Sequence, residues 1–381
     1  EHDAIKGAPT LKEVSIEDLL PRDEICVDLE SVAESLRGKR ILITGSAGSI
    51  GSEIVRQVAS FAPSKMMLID SAETPQHDIR RMMAHDFPSV PCATVVTSIT
   101  KADRMENIFK TFLPEYVFHA AAYKHVPMME DNPCESIQNN VLGTKILADL
   151  SVKYGVRRFV MVSTDKAVNP TNVMGCSKRI CEVYVQSLNK AERDGVVKGQ
   201  TQFITTRFGN VLGSNGSVIP IFERQIKAGG PVTVTDPNII RYFMLIPEAC
   251  ELVLEAGTKG EGGEIFVFDM GKPVRIADLA RRMIELSGAK GVEIKYTGLR
   301  DGEKLYEEVL SESEATKPSF HEKIRIACVR EYDWSDVSRE IDALIAQSHT
   351  YDDMAVVASM KRLVPEYISN HSKYTVLDHK A

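Results

Sequence analysis

The sequence has no hydrophobic run long enough to span a bilayer, and it begins without the pattern of a secretory signal peptide. Its seven cysteines are scattered and form no C-x-x-C pair, so neither a zinc-ribbon site nor a thioredoxin-like site is expected. The nine histidines form no ligand cluster either. These absences favour a cytoplasmic protein with reduced cysteines, without a metal and without membrane contact along this stretch of chain.

The sequence also lacks an excess of basic residues. The 46 lysines and arginines are outnumbered by 53 aspartates and glutamates, which gives a formal net charge of −7. Such a chain has no global attraction to nucleic acid or to anionic lipid, so we expect no nucleic-acid partner. The hydrophobic fraction of 43% and the charged fraction of 26% are those of a soluble globular protein. A length of 381 residues allows one large or two ordinary domains.

A glycine-rich loop between a strand and a helix is the first strong functional signal. Residues 40–44 are predicted to form a short buried strand and residues 52–61 a helix, with a G-x-x-G-x-x-G run between them. Glycines there permit a tight turn and a close approach of the backbone to a pyrophosphate, which rests on the helix N-terminus. The predicted cofactor-binding residues of this loop are Gly45, Ser46, Gly48, Ser49, Ile50 and Gly51.

The next predicted strand, residues 65–70, ends in a carboxylate. Asp70 follows the loop by about twenty residues, the distance at which an acid binds the adenosine ribose hydroxyls of a dinucleotide. A carboxylate there repels a 2′-phosphate, so NAD is favoured over NADP. The third predicted strand, residues 93–99, ends at Ser98 and Ile99, which are expected to flank the adenine.

A fourth predicted strand, residues 116–119, runs into the small residues Ala120, Ala121 and Ala122, against which a cofactor can lie. Repeated strand–helix units predict an α/β fold with a doubly wound parallel sheet and helices on both faces. We expect a smaller mixed α/β lobe for substrate, including a strand at 265–268, and a polar loop at 311–323. The predicted organisation is an N-terminal arm (1–39), a dinucleotide-binding domain (40–206), a mainly substrate-binding lobe interleaved with it (207–334), and C-terminal helices and tail (335–381).

The chemical centre of the sequence follows the fifth predicted strand. The triplet Thr164, Asp165 and Lys166 stands at the strand's carboxyl end, where open α/β sheets place their ligands. After an Asn-Pro turn a helical pattern begins, in which Met174 and Lys178 are four residues apart and share a face. An ordinary strand-to-helix turn with solvated charges is the alternative interpretation.

Residues 44–51, Asp70, the alanines from Ala120 and Lys178 together resemble an extended short-chain dehydrogenase/reductase, which implies an extended Rossmann fold. That family normally carries Tyr-x-x-x-Lys, and here Met174 occupies the tyrosine position. The triplet at Thr164 narrows the resemblance to nucleotide-sugar 4,6-dehydratases. Four further segments resemble the UDP-N-acetylglucosamine 4,6-dehydratases of bacterial polysaccharide and glycan biosynthesis, and they are residues 119–125, 207–210, 241–244 and 299–304.

This resemblance spans roughly residues 10–365 and implies an internal redox cycle. NAD takes the hydride from C4 of the sugar, water is lost across C5 and C6, and the hydride returns to C6. Elimination needs a base at C5 and an acid at the C6 hydroxyl in fixed positions. By resemblance Asp165 is the acid, Lys166 is the base, Thr164 binds the C4 oxygen and Lys178 holds the nicotinamide ribose. This assignment requires a protonated Asp165 and a neutral Lys166, which burial can produce.

Met174 is the departure from the family pattern, because a thioether cannot accept a proton. Three other groups could deprotonate the C4 hydroxyl: Lys178 through a water, Asp165 itself, or the more distant Lys124. Relatives with methionine here resemble enzymes that retain configuration at C5, so we expect retention. The predicted substrate-binding residues, with Arg300 and Arg241 for the diphosphate and Glu303 for the uridine ribose, are Lys124, His125, Asn210, Arg241, Arg300 and Glu303.

Two alternatives remain open from the sequence, a UDP-sugar C4 epimerase and a catalytically silent NAD-binding module. Met174 argues against the epimerase, which relies on the tyrosine as a reversible acid and base. The acid–base pair after Thr164 argues against a silent module.

Larger members of the resembled group have membrane-spanning helices before the catalytic region, so we expect the full-length protein at the cytoplasmic face of the inner membrane. The sequence leaves the oligomeric state undecided between a homodimer and a larger homo-oligomer.

Overall fold

The computed structural model describes Leu19 and residues 25–212, 218–306 and 315–378. Its centre is a nine-stranded sheet in which seven neighbouring strands are parallel and the last two at one edge are antiparallel. From the other edge, the strands lie in the order β3 (Cys92–Val96), β2 (Lys65–Asp70), β1 (Arg40–Thr44), β4 (Tyr116–His119), β5 (Arg158–Thr164), β6 (Gln202–Phe208), β11 (Ile265–Phe268), β15 (Ile324–Cys328) and β14 (Ala315–Pro318). The order 3-2-1-4-5-6 confirms the predicted doubly wound α/β fold.

Helices cover both faces of this sheet, and each face has its own apolar core. In chain order they are α1 (Leu29–Leu36), α2 (Ser49–Ala59), α3 (Glu73–Asp86), α4 (Ala102–Phe112), α5 (Val126–Asp131), α6 (Pro133–Ser136), α7 (Gly143–Lys153), α8 (Val173–Arg193), α9 (Val218–Lys227), α10 (Ile246–Lys259), α11 (Ile276–Ser287), α12 (Trp334–Ser348) and α13 (Asp353–Leu363). One core joins α4, α7, α8, α12 and α13 through residues such as Phe109 and Ile180. The other joins α1, α2, α3 and α10 through residues such as Ile54 and Leu252. Each fully buried side chain of this size contributes about 1.5–3 kcal/mol.

A smaller lobe lies over the carboxyl ends of the strands and has a third core, formed mainly by α9 and α11 with short strands between them. Its strands are paired two by two: β7 (Asn210–Leu212) with β10 (Phe243–Leu245), β8 (Val232–Val234) with β13 (Ile294–Tyr296), and β9 (Ile240–Arg241) with β12 (Val274–Arg275). Leu19 is buried in this core. The rest of the predicted arm before residue 25 lies outside the described residues.

Two local predictions need correction. The strand Ile265–Phe268, expected in the smaller lobe, pairs in parallel with β6 in the large sheet, and all four of its residues are buried. Its apolar run is typical of a strand covered on both faces, but chain order does not show which sheet it joins. The loop expected at 311–323 contains strand Ala315–Pro318. Directly before α7, residues Ile137–Leu142 are π-helical.

Candidate active site

A cavity of about 530 Å³ opens between the carboxyl ends of the parallel strands and the smaller lobe. It collects side chains from stretches of the chain that lie far apart in sequence. The predicted site residues that line it are Ile50, Ala120, Ala122, Lys124, Thr164, Lys166, Met174, Lys178, Asn210, Arg241, Arg300 and Glu303. The crevice at the switch point of a doubly wound sheet is where ligands bind in this fold class.

The glycine-rich loop connects β1 to α2 and packs against the end of β4. Gly45 has a φ of 68°, and a Cβ atom on it would stand 2.7 Å from the backbone nitrogen of Ala121. A Cβ atom on Gly51 would stand only 1.8 Å from the carbonyl oxygen of Gly45. Both positions therefore require glycine. Gly48 precedes the first turn of α2, so the loop leads into a helix N-terminus, a favourable position for an anion.

Ser46 was predicted to bind the cofactor, but its hydroxyl points away from the cavity. The side chain is fully buried and donates a hydrogen bond of 2.8 Å to Oε1 of Gln76. Gln76 in turn donates to the carbonyl oxygens of Leu68 and Val95. Ser46 thus ties the loop to β2 and β3.

Asp70 ends β2 beside the glycine-rich loop. Its Oδ2 accepts a hydrogen bond from the backbone nitrogen of Ala47 at 3.0 Å, and its Oδ1 accepts from Ala72 at 2.9 Å. Asp70 does not line the cavity, and neither do Ser98 and Ile99, which lie beyond the end of β3. The hydroxyl of Ser98 bonds that of Thr100 at 2.7 Å, and Ile99 is packed against Gly143 of α7.

The predicted acid–base triplet sits where β5 becomes a 3₁₀ turn, Asp165–Ala167. The Thr164 hydroxyl donates to Oδ1 of Asp165 at 3.1 Å and accepts from the backbone nitrogen of Lys166 at 3.2 Å. Lys166 Nζ lies 3.5 Å from the same Oδ1 and 3.2 Å from Oδ1 of Asn210. The turn therefore aims both side chains to one side, which an extended strand would not do.

Asp165 and Lys166 differ in their access to the cavity. Lys166 lines it with 18% of its side chain exposed, whereas Asp165 is completely buried and is not part of the lining. Gly209 covers the carboxylate, because a Cβ atom on this glycine would stand 2.8 Å from Oδ2. Gly209 itself lines the cavity, so the Asp165 carboxylate lies directly beneath the cavity wall.

Helix α8 begins against the 3₁₀ turn Asp165–Ala167. The Asn172 side chain caps it by accepting from the backbone nitrogen of Gly175 at 2.7 Å. A Cβ atom on Gly175 would stand 2.1 Å from the carbonyl oxygen of Lys166, so the helix and the turn touch through backbone atoms. This contact places Met174 and Lys178, one helical turn apart, in the cavity wall.

Burial governs the protonation of the groups around Lys178. Loss of solvent lowers the pKa of Lys178 below its ordinary value, with neighbouring anionic groups acting in the opposite direction. Burial, together with the nearby Lys178, lowers the pKa of His119 to about 3. His119 is therefore neutral, and its ring nitrogens bond the hydroxyls of Thr44 at 2.7 Å and Thr144 at 2.9 Å. These bonds fix the end of β4 against β1 and α7.

A buried charge network that the sequence interpretation missed packs beside β5 and β6. Glu182 of α8 accepts from Arg207 of β6 at 2.7 Å, and neither side chain is exposed. Glu182 also accepts from Arg179 at 3.1 Å and from the hydroxyl of Ser163 at 2.7 Å. Burial alone would raise the pKa of Glu182, but the two guanidinium groups outweigh it and hold the pKa below its ordinary value.

The predicted nucleotide-binding residues form the opposite wall. Arg300 Nη2 lies 2.9 Å from Oε2 of Glu303, and the Arg300 side chain is 60% exposed. Arg241 is buried, and its guanidinium donates to the carbonyl oxygens of Ile240 and Lys304, each at 2.7 Å. Arg241 therefore builds the wall on which the Arg300–Glu303 pair stands, in addition to facing the cavity.

Cationic side chains gather at the mouth of the cavity. Lys124 lines the mouth, and partial loss of its solvent shell lowers its pKa, although the residue stays exposed at the surface. His125 is exposed and lies outside the lining. Partial burial lowers the pKa of His125, and the charges of Lys124 and Arg300 lower it further. These three residues are thus close enough to act together on an anionic ligand.

The other residues that line the cavity could not be recognised as site residues from the sequence. Asn172 was marked only by its position before a helix, where asparagine is a common cap. The remaining contributors come mostly from the smaller lobe, and they include Tyr123, Phe208, Phe222, Thr233, Val234, Thr235, Phe243 and Thr297.

Sheet order, loop and cavity together define an extended short-chain dehydrogenase/reductase fold. Residues 41–329 match the family described as polysaccharide biosynthesis protein. The chain belongs to this family. It is 48% identical to the capsular polysaccharide biosynthesis protein CapD of Staphylococcus aureus, over 88% of this chain and 55% of the relative.

Further relatives extend this relationship. The chain is 44% identical to the "Probable polysaccharide biosynthesis protein EpsC" of Bacillus subtilis, over 88% of this chain and 56% of the relative. It is 35% identical to the UDP-glucose 4-epimerase of Rickettsia canadensis, over 73% of this chain and 80% of that protein. The chain thus spans about half the length of the first two relatives. Within the described ranges, no helix combines the length and apolar character that crossing a membrane requires.

Solved structures share the fold. Pen of Bacillus thuringiensis matches with a TM-score of 0.71 and 31% identity, over 76% of this chain and 89% of that one. The NAD complex of Thermus thermophilus UDP-glucose 4-epimerase matches with a TM-score of 0.58 and 23% identity, over 69% and 88%. The dTDP-glucose 4,6-dehydratase DesIV of Streptomyces venezuelae, also with NAD bound, matches with a TM-score of 0.60 and 22% identity, over 70% and 86%.

Proposed function

We propose that the chain is an NAD-dependent UDP-N-acetylglucosamine 4,6-dehydratase of bacterial glycan biosynthesis. The observation that supports it best is the acid–base turn at Asp165 and Lys166, which adjoins the same cavity as the glycine-rich loop. A module that only binds a dinucleotide has no use for a carboxylate and an amine 3.5 Å apart beside its ligand. The dehydratase reaction needs both.

The residues around the loop fit NAD. Gly45 and Gly51 allow the loop to turn tightly against neighbouring backbone, which no residue with a Cβ atom could do there, and the N-terminus of α2, a favourable place for a pyrophosphate, follows the loop. Asp70 would hold the adenosine ribose, and Lys178 the nicotinamide ribose. When bound, NAD supplies the reversible removal of the substrate's C4 hydride.

The chain's own residues then carry out the elimination. Lys166 removes the proton at C5, which a ketone at C4 makes acidic, and Asp165 donates a proton to the departing C6 hydroxyl. Thr164, bonded to both residues, fixes their relative position and binds the C4 oxygen. Asn210 holds Lys166 Nζ from the side of the smaller lobe. A positioned acid or base typically contributes a factor of about 10² to 10⁴ in rate.

The C4 hydroxyl needs a base other than Met174. Among the three candidates, Lys178 lines the cavity one turn from Met174, and burial lowers its pKa toward the neutral form that a base requires. Lys124 also lines the cavity and has a lowered pKa, but it stands at the mouth. Asp165 is assigned to the departing C6 hydroxyl in this proposal, and its carboxylate accepts from the Thr164 hydroxyl, which lines the cavity.

A UDP-sugar C4 epimerase is the second candidate, favoured by the 35% identity to a protein named UDP-glucose 4-epimerase. Mass spectrometry after incubation with NAD and UDP-N-acetylglucosamine separates the two. A dehydratase yields a product lighter by one water, and UDP-glucose in a parallel reaction tests the need for the N-acetyl group. An epimerised product of unchanged mass would overturn the proposal.

Retention at C5 is a further expected result. With methionine at position 174, we expect the product to be the D-xylo 4-keto-6-deoxy sugar. Proton couplings around the product ring measure this directly. An L-arabino pattern would contradict the expectation.

Replacing Asp70 tests the choice of cofactor. Asp70→Ala removes the predicted partner of the ribose hydroxyls and the repulsion of a 2′-phosphate, so affinity for NAD should fall more than affinity for NADP. Loss of one or two charge-assisted hydrogen bonds corresponds to roughly a 10- to 100-fold weaker NAD complex. Fluorescence titration with both cofactors measures the ratio. Equal losses would mean that Asp70 acts only by holding Ala47 and Ala72.

Arg300 tests the nucleotide end. Arg300→Ala should weaken the binding of plain UDP by roughly 10-fold, since a charged hydrogen bond to the diphosphate is lost, and should raise KM for the UDP-sugar. Arg281→Ala, an exposed arginine of α11 that does not line this cavity, is the matched control. Calorimetry that finds UDP affinity unchanged in Arg300→Ala would limit this arginine to its pairing with Glu303.

A further inference from the structure

The chain's last described stretch, residues 364–378, runs along two loops of the proposed site, and we call it the C-terminal strap. Its backbone bonds the turn that precedes α8. The Ile368 nitrogen donates to the carbonyl oxygen of Pro170 at 3.1 Å, and the Asn370 nitrogen donates to that of Thr171 at 3.3 Å. The strap therefore lies against the segment that links the catalytic turn to α8.

Asn370 also binds the loop that presents the Arg300–Glu303 pair. Its carbonyl oxygen accepts from the backbone nitrogen of Gly302 at 2.7 Å, and its side-chain Nδ2 donates to the carbonyl oxygen of Glu303 at 2.7 Å. One residue thus bonds the catalytic segment through its backbone nitrogen and the nucleotide-binding loop through two other atoms. Of these three bonds, only the one from Nδ2 depends on the side chain being asparagine.

The two segments that Asn370 joins also touch each other. The hydroxyl of Thr171 and Nδ2 of Asn172 donate to the carbonyl oxygen of Gly302 at 2.8 and 3.2 Å. Gly302 has a φ of 77°, and a Cβ atom there would stand 2.6 Å from that of Asn172. The loop therefore approaches the segment before α8 closely at Gly302 and Asn172. A displacement of the loop would be transmitted to Asn172, which caps α8.

The far end of the strap is anchored in the protein. The Ser372 hydroxyl donates to Oε2 of Glu130 at 2.7 Å, and the Tyr374 hydroxyl donates to the Glu130 carbonyl oxygen at 3.1 Å. Tyr374 is fully buried. The other carboxylate oxygen of Glu130 accepts from the backbone nitrogen of Val173, the first residue of α8, at 2.5 Å. The strap is thus bonded to the site at Ile368 and Asn370, and to Glu130 at Ser372 and Tyr374.

We propose that Asn370 is a positioning residue, which sets the distance between the catalytic turn and the loop that binds the uridine diphosphate. This inference rests on the proposed function. The substrate must be held at its nucleotide end by Arg300 and Glu303 while its sugar reaches Lys166. An error of about 1 Å between two such points costs as much as 100-fold in rate. Asn370 lies outside the cavity lining, so it acts through Glu303 and not on the substrate.

Asn370→Ala removes the side-chain bond and leaves both backbone bonds available. We expect kcat for UDP-N-acetylglucosamine to fall by as much as 100-fold, because the sugar is displaced from Lys166. Binding of plain UDP should weaken by 3- to 10-fold in calorimetry, the effect of about one hydrogen bond. Affinity for NAD should stay unchanged, because the hydrogen bonds of Asn370 run to Thr171, Gly302 and Glu303 and not to the dinucleotide loop. Thr375→Ala, at an exposed position of the same strap, is the matched control and should behave as wild type.

Hydrogen–deuterium exchange of the ligand-free protein gives a readout that needs no substrate. In Asn370→Ala, amides of residues 300–305 should exchange faster than in wild type, while those of 45–55 should not change. Unchanged exchange at 300–305, or faster exchange with an unchanged kcat, would overturn the positioning role.

Failure of the proposed function is visible separately in the wild-type protein. A wild type that binds UDP but does not dehydrate UDP-N-acetylglucosamine would overturn the dehydratase, while the UDP affinity and exchange of Asn370→Ala would still decide the strap. A wild type that binds no UDP would overturn both.

Discussion

Lys166→Ala is expected to bind both NAD and UDP-N-acetylglucosamine and to lose dehydration by about 10²- to 10⁴-fold, the usual effect of removing a positioned base. In the proposed mechanism the Lys166 amine is the group that faces C5, and the nicotinamide-binding Lys178 is untouched. C4 oxidation should therefore survive, and reduced nicotinamide should accumulate and be visible by its absorbance. The variant should also fail to exchange the C5 hydrogen with deuterated solvent.

Two companion variants sharpen this result. Lys166→Met keeps the apolar part of the side chain and should show the same loss, which excludes a packing effect. Asp165→Asn removes the acid but leaves the base, so exchange at C5 should continue although water is not expelled. This difference follows if deprotonation precedes departure of the hydroxyl. If Lys166→Ala still exchanged C5 at the wild-type rate, the base would be another residue and the roles given to the triplet would be wrong.

Glu182→Gln should strongly destabilise the folded protein. It removes the carboxylate that compensates the buried Arg207, and breaking a buried pair by removing one partner costs about 3–5 kcal/mol. Glutamine has nearly the same shape as glutamate, so the decrease in stability reports the loss of the charge and not a change in side-chain volume. Urea denaturation at neutral pH should show the decrease in the free energy of unfolding. Glu340→Gln, an exposed position of α12, should change it by about 0.5 kcal/mol or less.

The pH dependence of stability gives an independent check on Glu182. Its pKa is held below the ordinary value of 4.5 in the folded chain, so its contribution is present above that value. The contribution is lost as the pH falls below 4.5 and through the lower pKa of the folded state. Glu182→Gln lacks this contribution at every pH. The free energies of unfolding of the variant and the wild type should therefore converge at acid pH. A difference that stays constant with pH would contradict the ion-pair account.

The parts of the site that could be predicted from sequence are those encoded locally. The loop at Gly45 lies between a strand and a helix that are adjacent in the chain, and Asp70 ends the very next strand. The triplet at Thr164 and the lysine Lys178 belong to one continuous stretch. In each case a pattern of short range identifies the strand or helix, and the residues concerned lie at the end of a parallel strand or in the helix that follows it.

The rest could not be predicted, because it depends on contacts between distant segments. Glu182 and Arg207 are 25 residues apart, and nothing in either segment identifies the other as its partner. Arg241 was expected to face a diphosphate, but its guanidinium also holds the carbonyl oxygen of Lys304, 63 residues away. Ser46 was predicted to bind the cofactor from the pattern of the glycine-rich loop. That pattern does not show that the Ser46 hydroxyl donates to Gln76.

The most direct test of the central claim follows one hydrogen atom through the reaction. UDP-N-acetylglucosamine deuterated at C4 is incubated with the wild-type protein and NAD, and the product is examined by mass spectrometry and deuterium NMR. An internal redox cycle predicts a product lighter by one water that carries the C4 deuterium at C6. Deuterium that remains at C4 in a product of unchanged mass, whether epimerised or not, would contradict a 4,6-dehydratase.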